Sequence, residues 1–205
     1  MSDYLQQYGI VKKPDKSSEI FETLFPDIFA IRYESPSEYV NYCWKKYNGH
    51  KGKNDSFDNL IIKYILATLL IREGLLPFYL QAEVVFVPNV RYDILIYTKR
   101  FGPVMISAKD SLREHYKQAD LEAIALKYVH GRARNYLISF NEQEGKSIQQ
   151  KMMGGDVVGF DKVILATTEE INSLVDLLKE NSFFETQKND FVKSALFVNK
   201  DAVLQ

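Results

Sequence analysis

Asp93 and Lys109 are the residues whose setting asks for a chemical explanation. Asp93 opens the otherwise apolar run Tyr92-Asp93-Ile94-Leu95-Ile96-Tyr97, and Lys109 closes Val104-Met105-Ile106-Ser107-Ala108-Lys109. Aspartate is disfavoured inside strands. Two adjacent strands joined by a tight turn would bring these unlike charges to one region. A carboxylate and an ammonium so placed suit phosphodiester hydrolysis: the carboxylate holds Mg²⁺, which neutralises the scissile phosphate and acidifies a bound water, and the ammonium positions that water or stabilises the pentacovalent state. The same pair also fits a structural ion pair at a strand edge. Spacing alone leaves both readings open.

Beyond the pair, Ser107-Ala108-Lys109 continues into Ser111-Leu112-Arg113-Glu114-His115-Tyr116-Lys117-Gln118. With Asp93 upstream, this resembles the active-site segment of PD-(D/E)xK restriction endonucleases, in the branch whose signature reads S-x-K-T-S-L-R-E-R-[WY]-[KR]-Q. The resemblance is dense from Ser107 to Gln118 and looser from Ala82 to Thr167. In that branch a serine replaces the acidic residue two before the lysine. The missing carboxylate comes from the following helix, about thirteen residues after the lysine, which is Glu122 here.

The resemblance implies a restriction-endonuclease-like α/β fold, a mixed central sheet of about five strands flanked by helices. It assigns Asp93 and Glu122 to Mg²⁺, Lys109 to the attacking water, and Ser107 and Arg113 to support of the site. It implies a type II enzyme that cuts double-stranded DNA at a specific sequence, acts as a homodimer, and has a cognate DNA methyltransferase as genetic partner. Asp110 stands where threonine is usual and His115 where arginine is usual. Asp110 could lower activity by pairing with Lys109, or serve as a further ligand. Glu73 and Glu83 are upstream acids that could join the metal, with no feature of the sequence choosing between them. Arg113, Lys117, Arg132 and Arg134 suit DNA phosphates, with Lys45, Lys46, Lys51 and Lys53 as a mobile basic arm. Two other roles fit the same fold: a structure-specific nuclease of repair or recombination, and a DNA-binding protein on a catalytically decayed nuclease.

The elements that must position these residues follow from periodicity. Residues 1–54 read as a helical N-terminal region, with short helices over 19–31 and 36–46, ending in a basic loop. The core, 55–180, begins with a helix over 58–72 whose apolar residues from Leu60 to Ile71 cover a broad surface, with Gly74 at its C-terminal end. Runs rich in Val, Ile and Tyr then predict strands over 82–87, 92–98 and 104–108, punctuated by Pro88-Asn89 and Phe101-Gly102-Pro103. Ser111 to Glu114 fits a capping box, opening a helix that runs to Gly131, on which Glu114, Gln118 and Glu122 share a stripe. Strands over 135–140 and 162–166 and a helix over 169–179 complete the core; 181–205 is a C-terminal extension. A mixed sheet covered by helices results, in one domain, since 205 residues suffice for one core.

Composition excludes rather than assigns. The net charge of −1 gives no global attraction to a polyanion, so affinity for DNA must come from local cations. Three histidines without paired-ligand spacing argue against zinc, and no Walker, GxGxxG or GxSxG motif occurs. The single cysteine, Cys43, reads as a reduced, partly buried side chain. With no secretory signal and no long apolar run, a soluble, cytoplasmic protein that does not meet the membrane is expected.

Overall fold

The computed structural model describes residues 3–112, 115–183 and 191–204. The N-terminal region holds α1 (Tyr4–Gln7), α2 (Lys16–Leu24), a 3₁₀ turn (Ile28–Ala30) and α3 (Pro36–Asn48). Their starts are chemically set. Asp15 accepts from the backbone N–H groups of Ser17 and Ser18 at 2.9 Å, while Ser35 caps α3 and Pro36 occupies its first position. Two of the four basic residues expected in a mobile arm are anchored: Lys46 Nζ donates to the Leu24 carbonyl at 2.7 Å, and Lys53 pairs with Asp55 and Asp58 at 2.8 and 3.2 Å.

The core contains α4 (Asp55–Arg72), β1 (Phe78–Val84), β2 (Tyr92–Thr98), β3 (Gly102–Lys109), α5 (Tyr116–Val129), β4 (Arg134–Ser139), α6 (Glu142–Met153), β5 (Lys162–Leu165) and α7 (Glu170–Lys179). The C-terminal segment adds β6 (Val192–Val198) and α8 (Lys200–Val203). One mixed sheet of six strands results, in the order β5-β4-β3-β2-β1-β6. The expected strand count rises by one because β6 pairs antiparallel with β1. β1 to β3 form an antiparallel meander, while β4 and β5 run parallel to β3.

Alternation along the strands divides the core. Ile94, Ile96, Val104, Ile106 and Ala108 face a cluster built with α2, α3, α4 and α7, whereas Leu95 and Met105 face Ala119, Ala123 and Leu126 of α5. Asp93, Ser107 and Lys109 share the parity of the α5 side. α5 is fixed there by a close approach. Gly159 packs so tightly that a Cβ would collide with the Asp120 backbone carbonyl and the Ala123 Cβ, while the Asp120 carboxylate accepts the Gly159 N–H at 2.7 Å. Gly159→Ala is therefore expected to cost about 1–3 kcal/mol by overpacking, read from urea melts. An unchanged midpoint would show that this contact does not set the helix position.

Two local expectations are corrected. Ser111 does not cap α5, which begins at Tyr116 after a His115 without a side-chain cap bond. Instead the Leu112 N–H and the Ser111 hydroxyl donate to Glu144 Oε2 of α6 at 2.6 and 3.3 Å, so a carboxylate from a distant helix holds these two residues, while Glu114, the other half of the expected box, lies outside the described residues. The first strand begins four residues before its predicted start, at Phe78, and residues 85–87 lie in the turn that follows. Cys43 is buried, and burial pushes its thiol up to about 12. Among the described residues no helix is long and apolar enough to cross a membrane.

Candidate active site

β2 and β3 pair from Thr98–Gly102 to Ile94–Ile106, and at that end the site forms. Continuing the register by one residue sets Asp93 opposite Ser107. Beyond it the Ala108 N–H donates to Asp93 Oδ2 at 3.2 Å, and the Ser107 hydroxyl donates to the same oxygen at 3.4 Å. Lys109 Nζ lies 3.1 Å from Oδ2. The two predicted groups thus meet on one side of the sheet.

The other carboxylate oxygen has partners that sequence reasoning missed. Lys63 Nζ of α4 stands 2.7 Å from Asp93 Oδ1, and Gln81 Nε2 of β1 donates to it at 3.4 Å. The register Leu80–Ile94 and Ala82–Tyr92 places Gln81 directly opposite Asp93. Gln81 has φ +52°, in the left-handed region, at a register irregularity between β1 and β6. Such conformations cost a non-glycine residue of order 1–3 kcal/mol and concentrate at functional sites. One turn before Lys63, Asn59 accepts the Asp110 N–H at 3.2 Å, so α4 touches the end of β3 as well. A signal existed: between Asn59 and Ile71, Lys63 is the one charged residue of a core helix.

Asp93 is 6% exposed. Burial pushes its carboxyl upward, but Lys109 and Lys63 outweigh that and hold it below the ordinary carboxylate range. Glu122 of α5 lines the same cavity of about 300 Å³, together with Asn59, Lys63, Gln81, Ser107 and Lys109. Its helix is tied to β2 by the Tyr92 hydroxyl, which donates to the Glu122 carbonyl at 3.2 Å. Of the expected stripe spaced by four, Gln118 and Glu122 do meet, Gln118 Nε2 donating to Glu122 Oε1 at 2.9 Å. Burial raises the Glu122 carboxyl, and the Gln118 bond and the Lys109 charge offset this only in part.

The remaining predicted residues divide by place. His115 lines the cavity and Lys117 is exposed on the first turn of α5, whereas Arg113 and Glu114 lie outside the described residues. Arg134 stands opposite Val104 at the start of β4, five ladder steps or about 16 Å from the Lys109–Ser139 pair. There it binds Asp161 at 2.6 Å and covers the Phe101 ring. Arg132 sits near Tyr97, at that same far end of the sheet. Glu73 is ten residues, about 15 Å, along α4 from Lys63 and binds Lys179 at 2.5 Å; Glu83 pairs with Arg91. Neither lines the cavity. Lys109 is engaged by Asp93, while Asp110 is raised by burial and by the charge of Asp58, on the α4 side.

Among the described residues no group of three or more His, Cys, Asp or Glu is placed to hold a metal. Two carboxylates around a polar cavity remain. That donor set suits Mg²⁺, which keeps several waters and takes one or two carboxylates besides substrate phosphate.

No family model matches the chain, and no curated protein matches it. Among solved structures, restriction endonuclease PspGI in complex with substrate DNA aligns over 93% of this chain and 87% of that one, with a TM-score of 0.51 and 16% identity. Identity that low speaks to fold, and the shared fold is a mixed six-stranded sheet flanked by helices: the chain has the restriction-endonuclease-like α/β fold.

Proposed function

We propose that this protein is a Mg²⁺-dependent endonuclease that hydrolyses double-stranded DNA at a specific sequence, as type II restriction enzymes do. The observation that carries the reading is the convergence of Asp93, Lys109 and Glu122 on one polar cavity of a restriction-endonuclease-like fold. PspGI, similar in fold, is a restriction endonuclease whose structure is a complex with substrate DNA.

Asp93 and Glu122 would hold the ion, and the ion would supply charge neutralisation at the scissile phosphate and a water of lowered pKa. Lys109, fixed by Asp93, would orient the attacking water and steady the developing charge. Ser107 holds the carboxylate that holds the lysine. Lys117, on the first turn of α5, is assigned to phosphates flanking the cut, as is Arg113, which lies outside the described residues. The placement of Arg132 and Arg134 suits contacts to a more distant part of the duplex. A homodimer would give one centre per strand of a two-fold site, and a methyltransferase with the same specificity would protect host DNA.

Incubation with plasmid and unmodified genomic DNA in Mg²⁺, with an EDTA control, tests this. Discrete fragments with 5′-phosphate ends are expected, and Lys109→Ala is expected to slow cleavage by about 10²–10³, the scale of losing one transition-state donor. Cleavage confined to branched or mismatched DNA would replace sequence-specific restriction by a repair role. Binding without hydrolysis in any divalent ion would leave a DNA-binding protein on a decayed nuclease.

A further inference from the structure

Lys63 is the group at the centre that the reading above leaves without a task. Its side chain is 17% exposed, and it rises from a helix otherwise given to the core. Taking an ammonium out of water costs several kcal/mol unless something compensates. Neutralising Asp93 does not account for it, because Lys109 already does so from the other oxygen. A single carboxylate between two ammoniums is left with one positive charge in excess.

The excess makes sense across the whole cavity. Asp93 and Glu122 contribute two negative charges, Lys63 and Lys109 two positive ones; Arg91, also in the wall, is balanced by Glu83 at 2.5 Å. Among the described residues of the wall these charges therefore cancel before any ion enters. One divalent ion makes it +2, which matches a phosphodiester plus an attacking hydroxide, together −2. A second divalent ion would make it +4, with no negative charge left to meet it. Lys63 also stands on the Asp93 oxygen that Lys109 does not use, so its charge reaches the carboxylate from the other side.

We propose that Lys63 is a built-in replacement for a second divalent ion, so that the centre binds and works with one. This rests on the nuclease reading above. Lys63 then acts on the reaction as fixed positive charge, held by Asp93 from the side of α4 while Gln81 steadies the same oxygen.

The test counts ions as well as rates, using the full chain and Mn²⁺ as probe. Bound Mn²⁺ is measured by electron paramagnetic resonance of the free ion and by calorimetry, with Asp93→Asn subtracted as a blank. Wild type is expected to bind one Asp93-dependent Mn²⁺ per chain. Lys63→Glu is expected to bind two, Lys63→Met to keep one and cleave about 10²-fold more slowly, and Lys63→Arg to recover most of that loss. The wild-type count needs no variant, and Lys63→Arg retains the charge should Lys63→Met fold poorly. Two ions per wild-type chain with cleavage intact would overturn this role of Lys63 and leave the nuclease standing. Wild-type cleavage rates in Lys63→Met would overturn it too. No Asp93-dependent ion and no cleavage would overturn both.

Discussion

Asp93→Asn is expected to abolish cleavage and also to cost the metal-free protein about 3–5 kcal/mol, the range for breaking a buried pair by removing one partner. Carboxylates that hold metals are commonly a burden to the ion-free fold, and this one is the reverse. Its oxygens accept from Lys63, Lys109, Ser107, Gln81 and the Ala108 N–H, all within 3.4 Å. An amide offers one accepting oxygen and turns two N–H donors on the rest. Two ammoniums would then face each other with Glu122 as the remaining carboxylate of the cavity. The pH dependence fixes the sign. Because the folded carboxyl lies below its unfolded value of about 3.9, its stabilisation is complete above that value and is lost as pH falls through the folded one. Urea melts in EDTA should show a wide, flat gap between wild type and variant at neutral pH, closing in acid. Equal stabilities at pH 7 would mean that the Asp93 pairings contribute nothing to the fold.

The pair at residues 93 and 109 was legible because charges are rare in apolar strands, and a short meander fixes where two such charges meet. Glu122 was reachable only through resemblance, since its side of α5 depends on how that helix crosses the sheet. What the sequence hid had physical causes. α6 carries one fully buried aliphatic side chain, Ile148, and so shows little helical periodicity. β6 is an edge strand with a mostly solvent-reached face, and its partner, β1, lies more than a hundred residues earlier. Ser111 to Glu114 has the letters of a cap, yet Glu144 of α6, unseen in the sequence, captures Ser111 and Leu112. Lys63 was absorbed into an apolar pattern whose one exception it was. Local signals read well, and the misses at β6 and Ser111 involve partners distant in the chain.

Glu122→Gln should likewise remove cleavage, by about 10³-fold if one of two carboxylate ligands is lost, yet leave the metal-free protein as stable as wild type or more so. Burial raises the Glu122 carboxyl, with the Asp93 charge pushing the same way and only the Gln118 bond and Lys109 opposing. A folded value above the unfolded one means that folding favours the protonated form. That contribution is whole below the unfolded value and is lost as pH rises through the folded one, so at neutral pH the ionised group is a cost. Glutamine keeps the shape, can still accept from Gln118 Nε2, and removes the charge. The acid limb of wild-type cleavage should therefore lie above the ordinary glutamate range, and it should move to lower pH as Mg²⁺ is raised, because ion and proton compete for the same oxygens. Opposite stability changes at Asp93 and Glu122, with the same loss of cleavage, would separate a carboxylate held by lysines from one held in wait for a metal. Cleavage by Glu122→Gln within tenfold of wild type would move the second ligand elsewhere and break the correspondence with the S-x-K pattern at its last residue.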